Sequence, residues 1–513
     1  MSASWMAGYV SDVTYTLGFY RELAPSFLQF VCESNGVQGA PRDRRLRYCE
    51  LGCGRGYGTA LLAAANSDID FVGIDFNPTH IAEARALATR AGLDNLRFIE
   101  TSFGEALASS DPALAEFDII ALHGVYTWVA PEVRRDIVSF LRAKLRSGGI
   151  AYVSYNTFPG WAAAAPLQHL IGQIAARTTG DSIARFKRAY DTLVQLSQPG
   201  CAYIGRNPAV KSRLDAMANQ NPSYLAHEFL NEFWEPIYVS DAFADFAEAK
   251  LTFVGSATIG ENRLSFCVPK DMFELVSQAP DQTMREQIKD FIGNKQFRRD
   301  VYVKGPIALT PAEQRSRFQD TLFALTGPVA TLPESWPIPA GTARPAPGLV
   351  EGAVARLRQG PATGGELMTL LAHIAQTEVD VRIVCEILIE NHLLVPARPA
   401  GSASDPAAAA RLNEVVGNLS LKADTHRFFA SPVLGSAVGV SQFDRLALPL
   451  LERNAGAGAE ELAGLALARV TESGLNIRRR GKTGDATAGD LIDLAENLRG
   501  QTAPMLRNLG IGS

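Results

Sequence analysis

A parallel, doubly wound α/β sheet is predicted for residues 46–155, and three observations predict it. Short apolar segments alternate with amphipathic helical ones. A glycine-dense loop joins the first strand to the first helix, and an acidic residue ends the second strand. Alternation at this spacing requires right-handed crossovers, which place the strands parallel and the helices on both faces.

The elements follow in order. Leu46–Leu51 reads as a strand, followed by the glycines and a helical run over Thr59–Ala65. The Asp70–Ile74 strand leads into a helix over Pro78–Ala91, where Asn77 can cap and Pro78 suits the first turn. Leu96–Glu100 and Phe117–Leu122 read as strands, Pro131–Leu145 as a helix and Ile150–Tyr155 as the fifth strand. Gly148 and Gly149 supply the turn before it.

Beyond this unit the pattern is mainly helical, with helices expected at 163–176, 181–197, 206–220 and 281–293. Leu251–Val268 carries strand-like alternation broken by glycines. Five prolines within 333–348 mark a linker. After it, Gly365–Ala375 and Val379–Asn391 read as a helical pair and Leu393–Val395 as a strand, a winged-helix outline. Residues 400–410, rich in Ala, Ser and Pro, read as a wing or loop. Helices are expected at 433–453, 459–472 and 489–498. The division expected is a domain over 1–160, a helical regulatory or dimerisation region over 161–332, a Pro-rich linker over 333–348 and a winged-helix-like domain over 349–513.

Composition narrows the function. At 513 residues the chain exceeds one ordinary core. Hydrophobic content of 47% with 20% charged residues fits a globular protein rather than a disordered one. A net charge of −5 does not call for nucleic acid or an anionic membrane. No apolar run reaches the roughly 18 residues of a membrane span, and the N-terminus lacks the pattern of a signal peptide. Six cysteines, none spaced Cys-x-x-Cys, fit a reducing, cytoplasmic compartment.

The chemistry concentrates in Glu50-Leu51-Gly52-Cys53-Gly54-Arg55-Gly56-Tyr57-Gly58, after a strand and before a helix. Glycines there admit positive φ and close approach of backbone to a ligand. A dinucleotide fingerprint needs glycine at position 57, where Tyr57 stands. Asp75 ends the next strand, the position that holds ribose hydroxyls, and Phe76 can pack on an adenine. Ser102 and Phe103 follow the third strand, where backbone or hydroxyl groups can meet the adenine edge. Cys53 reads as a small residue lending its backbone. His123, at the tip of the fourth strand, is a candidate proton acceptor with a free pKa of about 6.5, or else lends its carbonyl to the cofactor. Tyr126, Trp128 and the N-terminal Tyr15 are candidate aromatic walls, since ring faces attract sulfonium and ammonium groups. Tyr126 and Trp128 also read as core. Tyr155–Trp161 is a further wall.

The spacing Glu-x-Gly-x-Gly-x-Gly resembles motif I of class I S-adenosylmethionine (SAM)-dependent methyltransferases. With Ser11–Thr16, His123–Val129, Tyr155–Trp161, Tyr224–Glu232 and Phe297–Gly305, the chain resembles bacterial methyltransferases carrying a methyltransferase regulatory domain, including the rickettsial-type protein-lysine methyltransferases. The resemblance implies a Rossmann-like methyltransferase domain, SAM as cofactor, a helical region able to dimerise and a winged-helix-like C-terminus. It also implies a protein lysine as one acceptor. A small-molecule or lipid acceptor, or a non-catalytic SAM-binding module, are the competing readings. His227-Glu228 and Asn231-Glu232 miss the His-Glu-x-x-His zinc pattern, so no metal is expected, and a structural helix or gate is preferred. Arg298-Arg299-Asp300 reads as a salt-bridge cluster between domains, in preference to a contact for an acidic partner. The 365–395 helical pair carries Glu366, Glu378, Asp380, Glu386 and Glu390 against Arg382 alone, a balance unsuited to phosphates. The run Arg478-Arg479-Arg480-Gly481-Lys482 is short and isolated. A protein partner is expected and a nucleic acid is not.

Overall fold

The computed structural model describes residues 8–10, 12–13, 17–198, 200–399, 401–402, 404–454, 456–473, 477 and 485–512. Its centre is a seven-stranded sheet: β1 (Leu46–Leu51), β2 (Ile69–Asp75), β3 (Leu96–Glu100), β4 (Phe117–Leu122), β5 (Leu145–Asn156), β6 (Leu251–Ser256) and β7 (Phe297–Lys304). The spatial order is β3-β2-β1-β4-β5-β7-β6. β1 to β5 are parallel, whereas β7 runs antiparallel between β5 and β6. All six residues of β4 are buried, as a strand covered on both faces requires. The order reverses between β1 and β4, opening a crevice at the carboxyl ends of the strands.

Helices α1 (Pro25–Ser34), α2 (Tyr57–Ala65), α3 (Pro78–Ala91), α4 (Phe103–Ala108) and α5 (Pro131–Lys144) cover the sheet. The Asn77 side chain accepts from the amides of Thr79 and His80 to start α3, and Gly92, at φ 59°, ends it. Next come α6 (Ala165–Ala175), α7 (Ser182–Leu196), α8 (Ala202–Arg206), α9 (Pro208–Met217) and α10 (Pro222–Leu230), which share their own apolar cluster. α11 (Val239–Glu248) then returns the chain to the sheet. The boundary expected at 160 therefore cuts through the sheet, because β6 and β7 come from beyond it. Both were obscured by the glycines of 251–268 and by the charged start of Phe297–Lys304.

Leu322–Leu325 is the middle strand of a three-stranded antiparallel sheet, flanked by Ala362–Thr363 and Leu394–Pro396. Helices Leu349–Leu357, Gly364–Leu371 and Glu378–Glu390 accompany it. Three expectations need correction here. The Pro-rich 333–348 stretch is not a free linker. It forms a hairpin of Trp336–Ile338 and Gly341–Ala343 whose Trp336 is buried. From residue 406 on, the 400–410 stretch is helix rather than wing or loop, with Asp405 capping a helix over Pro406–Leu419. Its alanines are strong helix formers, and they are small enough to seat it against α2 and α3. The helix expected at 433–453 is instead a hairpin, Phe428–Ser431 with Ser436–Gly439, and a helix over Gln442–Arg453. The Arg478–Lys482 run lies outside the described residues.

The C-terminal third shares one apolar core with α1, α2 and α3. Polar contacts fasten the seam. Tyr57 Oη donates to the Phe428 carbonyl at 2.8 Å and accepts from the Phe428 amide at 2.9 Å. Arg398 forks onto Asp68 at 2.8 and 2.6 Å and reaches Asn66 at 2.7 Å. The tyrosine that breaks the dinucleotide spacing is thus a tether, holding the first turn of α2 to the C-terminal hairpin.

Candidate active site

One cavity of about 850 Å3 opens along the carboxyl ends of the strands. Of the residues singled out in the sequence, Glu50, Gly52, Cys53, Gly54, Asp75, Phe76, Ser102, Phe103, His123 and Trp128 all line it. Gly52, Gly54 and Gly56 take φ of 73°, 54° and 69°, a region that disfavours any side chain. They differ in purpose. A Cβ on Gly52 would stand 2.6 Å from Val125 Cγ2, and one on Gly56 would stand 2.5 Å from Ala84 Cβ. A Cβ on Gly54 would meet no protein atom within 4 Å, so that glycine keeps space clear for a ligand.

Asp75 organises the loop. Its Oδ2 accepts from the Gly54 amide and its Oδ1 from the Asn77 amide, both at 2.9 Å. His80 Nδ1 lies 3.4 Å from Oδ1. Each carboxylate oxygen has further lone-pair capacity for ribose hydroxyls. Glu50 accepts from Thr59 Oγ1 at 2.6 Å, and burial together with the Asp75 charge pushes its carboxyl up to about 7. A cationic amino group arriving there would relieve that shift. Burial pushes the Cys53 thiol far up, consistent with an inert residue that offers backbone. Phe76 meets Tyr9 edge-on, with ring centroids 5.8 Å apart. The Ser102 side chain caps α4 in a capping box with Glu105, so its hydroxyl is already engaged.

The N-terminal segment straps this site shut on one side. Val10 N donates to Asn231 Oδ1 at 3.0 Å, and His227 Nε2 lies 2.9 Å from the Val13 carbonyl. Asp12 accepts from Ser182 N and Oγ at 2.8 and 2.7 Å. The His227–Asn231 pair therefore holds chain rather than metal. Tyr15 lies outside the described residues.

His123 sits between rings, stacked on Tyr20 at 3.6 Å, with Nδ1 2.9 Å from Tyr152 Oη. Burial, with Arg299 adding to it, lowers its pKa to about 3. Such an environment disfavours the protonated ring that a general base would have to carry. Tyr126 also needs correction. It is fully buried, donates to Asp245 Oδ2 at 2.7 Å and packs on Phe246, away from the cavity. Removing that hydroxyl should cost about 1 kcal/mol and leave activity intact. Tyr126→Phe assayed by urea unfolding and by methyl transfer checks both, and a large loss of turnover in the folded variant would restore Tyr126 to the site.

Sequence reading put Asn156 and Trp161 on the far wall through Tyr155–Trp161 and saw Glu228 only as part of a structural helix or gate, but it missed Tyr9, Tyr20, Arg213 and Phe297; all of these face the cavity. Asn156 is 3% exposed, with its side-chain Nδ2 unpartnered. Strand alternation explains several of these placements: Tyr155 turns inward to Asp300 while Asn156 faces the cavity, and Arg298 turns inward while Arg299 faces it. The Arg298 cluster is thus internal to the sheet and the Gln282–Ile292 helix, not a bridge between domains.

This geometry fits an adenosyl cofactor. Comparison with known proteins agrees. A methyltransferase-domain family model matches residues 42–238, and a model of a predicted methyltransferase regulatory domain matches 221–304. The uncharacterized protein sll1526 of Synechocystis is 34% identical over 99% of this chain and 100% of its own length. The uncharacterized protein RP789 of Rickettsia prowazekii is 28% identical over 56% of this chain and 51% of its own. Two structures of PKMT2 from Rickettsia typhi share the fold. One superposes with a TM-score of 0.70 at 15% identity, covering 97% of this chain and 99% of that one. The other, in complex with AdoHcy, gives 0.69 at 18% identity, covering 94% and 98%. The chain belongs to the class I SAM-dependent methyltransferases that carry a methyltransferase regulatory domain.

Proposed function

We propose that the protein methylates a protein side chain, with a lysine amine as acceptor. The observation that carries this reading is the cavity itself. It runs from the glycine loop to a wall of Tyr20, Trp128, Trp161, Tyr224 and Phe297. Its volume stands in the upper part of the roughly 300–1,000 Å3 range of ligand sites. Aromatic faces favour both the sulfonium and an approaching amine. In-line transfer then depends on holding the acceptor against the methyl carbon and excluding water.

In this reading Asp75 receives the ribose hydroxyls and Glu50 faces the methionine portion. Phe76 and Tyr9 enclose the adenine, with the backbone at Ser102 and Phe103 along its edge. His123 lends its carbonyl while its ring braces Tyr20, and Trp128 walls the acceptor side. The fold shared with PKMT2 from Rickettsia typhi supports a protein acceptor over a small molecule.

The three-stranded sheet and helices of 322–396 support a winged-helix reading. A role as a scaffold suits it better than DNA binding. Two acidic side chains of its Glu378–Glu390 helix are turned onto the segment between β6 and β7: Arg263 forks onto Glu386 at 2.6 and 2.9 Å, and Glu390 accepts from Gly260 N at 2.8 Å. Six free thiols support a reducing, cytoplasmic compartment.

The full chain incubated with methyl-labelled SAM and a bacterial lysate tests the acceptor class. Label in discrete protein bands, released as methyl-lysine on acid hydrolysis, is expected. Label in extractable small molecules overturns the protein acceptor, and SAM binding without transfer overturns catalysis.

A further inference from the structure

Three carboxylates line the cavity, and they are not equivalent. Glu50 and Asp75 accept hydrogen bonds from the protein. Glu228, on the acceptor side, accepts none and forms no ion pair among the described residues. It lies four residues beyond Tyr224 on α10, so the two share one helix face toward the cavity. Leu225 and Ala226 point the other way, into the helical layer.

The charged neighbours leave Glu228 unsatisfied. Arg213, from α9, is the nearest cation in electrostatic effect. However, its guanidinium lies 3.7 Å above the Trp161 ring and bonds Gln296. Arg299, from β7, donates to Thr258 at 3.2 Å. Tyr20 and Tyr224 present phenols held protonated by burial, and His123 is neutral. Burial, opposed only by Arg213, pushes the Glu228 carboxyl up to about 7. A carboxylate kept without a partner in a cavity is costly unless a ligand satisfies it.

We propose that Glu228 receives the ammonium form of the acceptor amine and takes its proton before methyl transfer. This rests on the methyltransferase reading of the cavity. The carboxylate accepts one proton from R–NH3+, giving R–NH2 and neutral Glu228. The amine lone pair then forms the N–CH3 bond as the S–CH3 bond breaks, its electron pair returning to sulfur. S-adenosylhomocysteine and R–NH2CH3+ result, and Glu228 passes its proton to solvent. Among the described residues of the cavity, Glu50 has a similar affinity for a proton but stands beside the glycine loop and accepts from Thr59, which leaves Glu228 as the open carboxylate on the acceptor side.

The test needs no knowledge of the natural substrate. Two probes are adenosine analogues whose 5′ nitrogen carries the methionine-derived chain plus either a 3-aminopropyl or a butyl arm. These arms differ only in a terminal ammonium or methyl. Calorimetry on the full chain at pH 7, in two buffers of different ionisation enthalpy, reads affinity and proton release together. The wild type is expected to bind the ammonium arm roughly tenfold or more tighter than the methyl arm. It should release about half a proton more with the ammonium arm than with the methyl arm, because both arms share the amino group that meets Glu50 while only the ammonium holds Glu228 ionised.

Glu228→Gln should lose both differences while binding S-adenosylhomocysteine as before. Equal affinity for the two arms in the wild type, or discrimination unchanged in Glu228→Gln, overturns the assignment and leaves the cofactor site standing. Failure of either probe to compete with S-adenosylhomocysteine removes both readings. The wild-type measurement stands alone should the variant fold poorly.

Discussion

Asp75→Ala is expected to weaken S-adenosylhomocysteine binding by on the order of 100-fold or more. Two losses combine. The carboxylate accepts the Gly54 and Asn77 amides at 2.9 Å, so alanine removes the acceptor that shapes the glycine loop. It also removes the acceptor of the ribose hydroxyls. Hydrogen bonds to a charged group contribute about 1.5–3 kcal/mol each, and each 1.4 kcal/mol is about tenfold in affinity. Asp75→Asn should fall between, since its amide oxygen keeps one backbone contact without the charge. Calorimetric titration of the folded variants checks both. An unchanged dissociation constant in Asp75→Ala would remove the ribose assignment.

The second large effect concerns folding. Arg298→Ala should cost about 3–5 kcal/mol of stability. Its guanidinium is buried among three carboxylates: Asp300 at 3.0 Å, Asp290 at 2.6 Å and Glu286 at 3.0 Å. Tyr155 Oη also donates to Asp300, at 2.6 Å. Alanine would strand these acids in the core without a counter-charge. Burial already pushes Asp290 up to about 7 even with the arginine beside it.

The sign of the pH dependence follows. A carboxyl whose folded pKa lies above its unfolded one binds more protons when folded, so its stability contribution falls as pH rises between the two values. Removing Arg298 takes away the cation that opposes burial at Asp290, so that carboxyl rises further and the deficit should widen from pH 5 to pH 8. Urea unfolding at both pH values measures it. A loss below 1 kcal/mol at pH 8 would show that the cluster relaxes to water.

The cofactor half of the site was legible in sequence because each part is local. Glycine needs, caps and apolar alternation act within a few residues, so Leu46–Leu51, Pro78–Ala91, Leu96–Glu100 and Phe117–Leu122 stand in the structure with the bounds read from the chain. The acceptor half was legible only at Trp128 and Tyr155–Trp161. Tyr20, Arg213, Glu228 and Phe297 are up to 277 positions apart (20 to 297) and meet only through packing of the helical layer on the sheet. Tyr126 illustrates the reverse error. Its place beside His123 suggested a wall, but the turn after β4 sends its ring into the core, to Asp245 and Phe246.

Sequence alone determined the parallel α/β unit, the glycine loop with Asp75 and the exclusion of a dinucleotide by Tyr57, since these depend on backbone requirements met residue by residue. Tertiary structure decided what completes them. Distant segments supply the two antiparallel strands, the N-terminal strap, the C-terminal buttress on Tyr57 and the unpartnered Glu228. A residue's partner, its burial and the resulting pKa depend on every element that packs around it, and no local pattern carries that information.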